Sequence, residues 1–182
     1  MKRLFVSICL LAFAVAVPAQ MQKKPPLSPP AKASVTIDGK TITIDYSSPR
    51  VRGREGKIFT SDGLISHDPH YPVWRAGANA ATTLHTDADI KLGGLDVPAG
   101  PYTLFVNISD PDKWVLIVST ATGEWGLAYD STKDLGTTAM TMSKPSSMVE
   151  DLVYNLTDDG GKSGTLTLTW ENVSASVPIT VQ

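Results

Sequence analysis

The sequence predicts an all-β fold: an antiparallel β-sandwich of the jelly-roll or immunoglobulin-like kind, with about ten strands and little or no helix. Apolar and polar residues alternate with a period of two through most of the chain, as they do in strands that bury one face. Turn residues separate these short segments at regular intervals, a spacing typical of sandwiches and jelly rolls. No window indicates an amphipathic helix.

The first strands are predicted on either side of Asp38-Gly39, where ASVTI and TITIDYS alternate, because Asp-Gly is a favoured pair for a two-residue hairpin turn. The later strand candidates are ATTLHTD, DIKLGG, GPYTLFVNIS, KWVLIVST, TTAMTMSK, VEDLVYNLTD, SGTLTLTW and SASVPITV. Residues 47–72 interrupt this rhythm with prolines, glycines and charges. So long an irregular segment in a compact domain is usually functional or partly disordered.

The first 19 residues, MKRLFVSICLLAFAVAVPA, have the features of a secretory signal peptide. Lys2 and Arg3 precede an apolar stretch that is too short for a membrane span, and small residues precede a cut expected after Ala19. Cys9 is the single cysteine of the chain. The mature protein is therefore expected to lack disulfides and to be exported, periplasmic or secreted, in a bacterial envelope.

Behind the signal peptide, residues 20–32 are rich in proline and lysine and are predicted to be a flexible segment. Residues 33–182 are predicted to form a single β-sandwich domain, an ordinary domain length. Loss of Lys2 and Arg3 changes the net charge from −2 to −4. An acidic domain of this kind is not expected to bind nucleic acid. No transmembrane segment is expected in the mature chain.

All arginines of the predicted mature chain fall within 26 positions: Arg50, Arg52, Arg54 and Arg75. A guanidinium group is a planar fork of donors suited to carboxylates and phosphates. If Arg52-Gly53-Arg54 is extended, both arginine side chains project from the same side. The alternative is structural: the arginines pair with Asp45, Glu55, Asp68 or Asp87 and fix the irregular segment to the sandwich.

The stretch YPVWRAGANAATTL places Trp74 and Arg75 side by side, so that on a strand one faces the core and the other a rim or cleft. Gly77 and Asn79 are expected to bracket a bend. An arginine, an amide and an aromatic plate suit a polar or anionic ligand. Alternatively the tryptophan is a core plug, the arginine satisfies loop carbonyls and the asparagine occupies a left-handed turn. The predicted ligand-binding residues are Tyr46, Arg52, Arg54, Trp74, Arg75, Asn79 and Thr82.

The three histidines, His67, His70 and His85, also lie in this region. They are an alternative site for Zn²⁺ or another divalent metal, although the proline between His67 and His70 breaks helical spacing. No cofactor is otherwise indicated. The favoured function is a binding module for a small polar or anionic ligand, peptide or glycan. The alternatives are an envelope hydrolase with a histidine or carboxylate base in the same cleft, and a purely structural or interaction domain.

Several motifs together resemble the bacterial domain-of-unknown-function family 2911, over most of residues 28–181. They are ITIDYSSPRVRGR, VWRAGANAATTL, LDVPAGPYTLF, KWVLIV and LTLTWENVSASVPI. The resemblance implies an exported β-rich domain and supplies no activity. The family pattern falls on Tyr46, Pro49, Arg52, Gly53, Arg54, Trp74, Arg75, Gly77, Asn79, Thr82, Thr83, Gly100, Tyr102 and Trp114. The chain departs from it in the longer link REGKIFTSDGLISHDPHYP, which contains His67 and His70.

Overall fold

A computed structural model describes residues 25–182. The predicted signal peptide lies outside these residues. The strands are β1 (Pro30–Ile37), β2 (Lys40–Ser47), β3 (Val73–Trp74), β4 (Thr82–Thr86), β5 (Ile90–Leu92), β6 (Leu95–Val97), β7 (Gly100–Asn107), β8 (Val115–Ser119), β9 (Asp134–Ala139), β10 (Thr141–Ser143), β11 (Val149–Gly160), β12 (Ser163–Glu171) and β13 (Val173–Val181). Single turns of 3₁₀ helix occur at Ile65–His67 and Ser131–Lys133.

Two antiparallel sheets form the sandwich. One has the order β1-β2-β4-β7-β8-β9, with β3 also paired to β7, and the other has the order β11-β12-β13-β5-β6, with β10 also paired to β13. The predicted all-β antiparallel class is therefore confirmed. The strand number exceeds ten because β3 and β6, two and three residues long, lie outside the strand candidates, and because the candidate TTAMTMSK is divided between β9 and β10.

The predicted β1–β2 hairpin is confirmed. Its strands pair from Pro30 with Ser47 to Ile37 with Lys40. Asp38 and Gly39 form the turn with φ of 49° and 72°. Positive φ at both central residues is the geometry that matches the twist of the strands.

The core lies between the sheets and is built from the alternating apolar positions. In β12, Leu166, Leu168 and Trp170 are buried, while the threonines between them are partly exposed. In the other sheet, Ile42 and Ile44 of β2 are fully buried. Burial of one methylene group contributes about 0.8 kcal/mol. A shift of one residue would turn these apolar side chains to the solvent, so the pattern fixes the register of the strands.

The link between β2 and β3 and the start of the described chain both contribute to the site described below. The long link between β2 and β3 contains no strand and only the turn Ile65–His67, which confirms the predicted break in alternation. At the start of the described chain, β1 begins at Pro30, inside the segment predicted to be flexible. Residues 30–32 are ordered by pairing with residues 45–47. Within residues 25–182, no helix has the length and apolar character to cross a membrane.

Candidate functional site

A cavity of about 500 Å³ opens where the β2–β3 link, the segment after β3 and the β8–β9 link meet. Its size is that of a typical small-molecule site. Its lining comprises Leu27, Ser28, Pro49, Arg50, Arg52, Arg54, Leu64, Ile65, His67, Asp68, Pro69, Trp74, Arg75, Gly77, Ala78, Asn79, Trp125, Leu127 and Trp170. All four arginines singled out in the sequence therefore face one concavity.

The chain that carries Arg50, Arg52 and Arg54 is hydrogen-bonded to the opposite sheet. Ser48 Oγ donates to the Leu152 carbonyl at 2.7 Å, and the Leu152 amide donates to the Pro49 carbonyl at 2.9 Å. The Val51 amide donates to the Glu150 carbonyl at 2.9 Å. These bonds fasten the chain after β2 to β11 of the opposite sheet, so the arginines that follow stand on a fixed backbone.

Arg52 and Gly53 occupy a tight turn, with φ of 51° and 70°, and the Arg54 amide closes it on the Val51 carbonyl at 3.1 Å. Residues 52–54 are therefore not extended, so the condition under which both arginine side chains would project from the same side is not met. The bond from the Arg52 amide to Glu150 Oε1, 2.9 Å, helps to fix this turn, and it comes from a distant strand. Arg52 and Arg54 nevertheless both line the cavity.

The two side chains of this turn differ in how fully they are used. Arg54 donates Nε to the Val51 carbonyl at 2.9 Å and Nη2 to the Arg50 carbonyl at 2.7 Å, so it braces its own loop. Arg52 is exposed and donates Nη2 to the Leu27 carbonyl at 3.0 Å. A guanidinium carries five N–H donors, and most of those on Arg52 remain accessible to a ligand.

Arg75 is largely enclosed. Its side chain is 19% exposed and lies 3.4 Å from Asp68 Oδ2, while the Asp68 side chain is only 5% exposed. Nη1 also donates to the Asn79 carbonyl at 3.4 Å. Nε is buried with no hydrogen-bond partner among the described residues. An unsatisfied buried donor is costly, and it marks Arg75 as a group able to gain from a further acceptor.

Of the four carboxylates predicted as arginine partners, Asp68 alone has that role within residues 25–182. Asp45 pairs with Lys32 at 3.1 Å, and Asp87 with His85 at 3.1 Å. Glu55 accepts from Asn172 Nδ2 at 2.9 Å. Arg50 pairs instead with Asp151. In the described chain Arg52 and Arg54 form no ion pair.

Buried aromatic rings form the floor of the cavity. Trp74 and Trp170 both line it, and their rings stack with centroids 5.9 Å apart and planes 20° apart. Phe59 packs edge-on against both, and Trp114 completes the cluster 4.9 Å from Phe59. Trp74 is 3% exposed. Its predicted place in the core, with Arg75 beside it at a cleft, corresponds to this geometry.

The bend expected between Gly77 and Asn79 is present, with left-handed φ of 50° at Ala76 and 59° at Asn79. A Cβ on Gly77 would lie 2.8 Å from Thr82 Oγ1, so only glycine fits there without displacement. Asn79 is exposed and donates Nδ2 to the Ser28 carbonyl at 3.3 Å. The amide predicted for the site therefore stands at its edge, beside the N-terminal segment.

Two predicted ligand-binding residues lie behind the cavity and do not line it. Thr82 is fully buried and donates Oγ1 to the Ala76 carbonyl at 3.1 Å. The Tyr46 hydroxyl accepts from the Tyr154 amide at 3.3 Å. Tyr154 donates its own hydroxyl to the same Ala76 carbonyl at 3.0 Å, and burial raises its pKa. These groups hold the bend from behind.

The three histidines are separated. His67 lines the cavity. His70 Nε2 lies 2.9 Å from the Leu127 carbonyl and its ring packs against Tyr129. His85 is on β4, beside Asp87. In the part of the chain that the structure describes, no three His, Cys, Asp or Glu side chains are grouped to hold a metal ion.

Two residues at the mouth of the cavity are not predicted by the sequence pattern. Trp125, in the β8–β9 link, is 58% exposed, and Leu27 is 65% exposed. Neither belongs to an alternating segment. Trp125 is brought to the cavity by an isolated β-bridge to Ala80, a contact that no local pattern announces.

The lining of the cavity is positively charged, whereas the described chain as a whole is negatively charged. Its lining has four arginines and one carboxylate, Asp68, a formal charge of +3 with histidine neutral, which becomes +2 when Asp151, the partner of Arg50, is included. Residues 25–182 contain 12 basic and 18 acidic side chains, a net charge of −6. A positive concavity with apolar walls attracts and holds anions.

A family model described as "Protein of unknown function (DUF2911)" matches residues 28–179. The chain belongs to this family. The match confirms the resemblance carried by its motifs, and several motif residues of DUF2911 in this chain line the cavity: Pro49, Arg52, Arg54, Trp74, Arg75, Gly77 and Asn79. Neither the curated proteins nor the solved structures contain a match.

Proposed function

We propose that this DUF2911 protein is an exported binding protein that holds a small anionic ligand in the arginine-lined cavity. The observation that carries the proposal is the gathering of four arginines around one concavity where, among residues 25–182, only two carboxylates pair with them, Asp68 and Asp151. A cation cluster that served only to fix the β2–β3 link would be expected to be closed by the protein's own acids. Here that closure is incomplete.

The arginines are proposed to have different roles in binding the anion. Arg54 and Arg75 are held by backbone carbonyls and by Asp68, so they are preorganised and need little ordering when a ligand binds. Arg52 is exposed, with one hydrogen bond to the Leu27 carbonyl, and its remaining donors can form a bidentate pair with an anion. Asn79 adds an amide at the same edge.

Calorimetric titration at low ionic strength tests the proposal, with phosphate, citrate and acetate as probes. At least one of these anions is expected to bind, and Arg52→Gln should weaken its binding by about ten- to hundredfold, since a hydrogen bond to a charged group contributes about 1.5–3 kcal/mol. Lys40→Gln, which removes one charge at the distant β1–β2 turn, is the matched control. Absence of binding by every anion, or equal losses in the two variants, would overturn the proposal.

Export is part of the proposal and rests on the signal-peptide features of residues 1–19. Expression of the full chain in a bacterium, followed by mass spectrometry of the periplasmic fraction, measures it. The expected product begins near Gln20. An uncleaved chain retained in the cytoplasm contradicts it.

A further inference from the structure

Exposed apolar side chains gather at the mouth of the arginine cavity. The described chain has seven large exposed hydrophobic residues, and four of them line this cavity: Leu27, Leu64, Trp125 and Leu127. Scattered surface hydrophobics need no explanation, but a cluster at a concavity marks a binding surface. An anion that was polar on all sides would leave this rim unused.

The apolar rim and the arginines are held at a fixed spacing. The Asn79 carbonyl accepts from Arg75 Nη1 at 3.4 Å and from the Gly126 amide at 3.3 Å. A Cβ on Gly126 would lie 2.5 Å from Arg75 Cδ, so the absence of a side chain lets the link pack onto the arginine stem. Trp125, the residue before Gly126, is thereby held at the same cavity as Arg75. A ligand that uses both must have an apolar group close to its negative charge.

The cavity edge also holds peptide backbone of the N-terminal segment, which bends at Leu27 and Ser28. Three successive carbonyls of the N-terminal segment are engaged there: Leu27 by Arg52 Nη2 at 3.0 Å, Ser28 by Asn79 Nδ2 at 3.3 Å, and Pro29 by the Ser48 amide at 2.8 Å. The same donors suit another peptide carbonyl or a terminal carboxylate. Capture of a C-terminal carboxylate by convergent donors is a recurring mode of peptide recognition.

We propose that the occupant of the cavity is the C-terminal end of a peptide whose last residue is hydrophobic. The carboxylate lies among Arg52, Arg54 and Arg75, and the terminal side chain packs on Trp125 and the neighbouring leucines. This inference rests on the proposed anion-binding function and narrows it to one chemical class. The positive cavity attracts the free acid more strongly than the neutral C-terminal amide. The apolar rim favours a peptide that ends in leucine over one that ends in serine.

The test is a calorimetric titration of the full mature protein with three N-acetylated tripeptides: one ending in leucine as the free acid, its C-terminal amide, and the serine-ended acid. The leucine acid is expected to bind about tenfold more tightly than either of the others, since one buried apolar group discriminates by roughly 10–200-fold. Trp125→Ala should remove the advantage of leucine over serine and leave the serine acid unchanged. Val153→Ala, at another exposed apolar position outside the cavity, is the matched control.

The outcomes separate this inference from the function on which it rests. If phosphate or citrate binds through Arg52 but the three tripeptides bind alike or not at all, the peptide assignment is overturned and the anion site stands. If no anion and no peptide binds, both fail. A leucine preference that survives Trp125→Ala also overturns the inference, because another surface then recognises the side chain. Urea unfolding of Trp125→Ala confirms that the comparison is made on folded protein.

Discussion

Replacement of Asp68 by asparagine changes the stability of the protein and the strength of its anion site in opposite directions. Asp68 is the internal counter-charge of Arg75, at 3.4 Å, and its Oδ1 also accepts from the His70 amide at 3.3 Å. Asparagine keeps the shape and can keep the bond to His70. What it removes is the negative charge, so Arg75 is left as an enclosed cation with weaker partners.

The size of the effect follows from the geometry. Two unit charges 3.4 Å apart attract by about 5 kcal/mol at an effective dielectric constant of roughly 20. The cost of desolvating Asp68 offsets part of this attraction. Loss of one partner of a fully buried pair costs roughly 3–5 kcal/mol, but Arg75 retains some exposure and its bond to Asn79. We expect Asp68→Asn to lower the free energy of unfolding by about 2 kcal/mol.

The assay is urea denaturation followed by tryptophan fluorescence, with Asp45→Asn as the matched control. Asp45 and its partner Lys32 are 53% and 58% exposed, so loss of that pair should cost under about 0.5 kcal/mol. The slope of the unfolding free energy against urea should be the same in both variants, since neither changes the surface exposed on unfolding.

The same variant raises the formal charge of the cavity lining from +3 to +4. Phosphate or citrate should therefore bind roughly three- to tenfold more tightly to Asp68→Asn at low salt. The reasoning is refuted if Asp68→Asn is no less stable than Asp45→Asn, or if its affinity for anions falls. Either result means that Asp68 does not serve as the internal partner of Arg75.

Two further predictions concern the frame around the site. Gly164→Ala should lower the free energy of unfolding by about 1–3 kcal/mol, because the new Cβ would clash with the Thr157 carbonyl and Ile37 Cδ1. In the control Gly94→Ala the new Cβ meets nothing within 4 Å, and the free energy of unfolding should change by under about 0.5 kcal/mol. Equal urea midpoints for the two variants would contradict this prediction. Burial raises the pKa of Tyr154 above its ordinary value, so its stabilising contribution is complete below pH about 10 and is lost as the pH rises further. Unfolding measured from pH 9 to 11 should show a smaller alkaline loss for Tyr154→Phe than for the wild type, and an identical loss would count against the assignment.

The fold could be predicted because its causes are local. The period-two pattern places residues such as Leu166 and Leu168 on the buried face, and Asp38-Gly39 carries the positive φ that a hairpin turn needs. Neither observation depends on a distant part of the chain. The short strands β3 and β6 lie outside the predicted segments, because two or three residues do not establish a period.

The site could be predicted only in part, since its geometry is set by contacts between distant residues. Arginine segregation indicated side chains that line one cavity, but a bond that helps to fix the turn at residues 52–54 comes from Glu150, 98 positions away. Arg50 finds its partner in Asp151, 101 positions away. Trp125 was missed because its position depends on the bridge to Ala80. Tyr46 and Thr82 belong to the family pattern, but they do not line the cavity and instead form bonds behind it.

The central claim is that the arginines of one cavity bind an anion together, and nuclear magnetic resonance of the arginine Nε–H groups measures this directly. Few arginines occur in the chain, so their signals can be assigned by single substitutions. During titration with the leucine-ended tripeptide acid, the signals of Arg52 and Arg75 are expected to shift together with one dissociation constant, while backbone amides around Lys40 stay in place. Unchanged arginine signals in the presence of an anion that binds elsewhere on the protein would contradict the account.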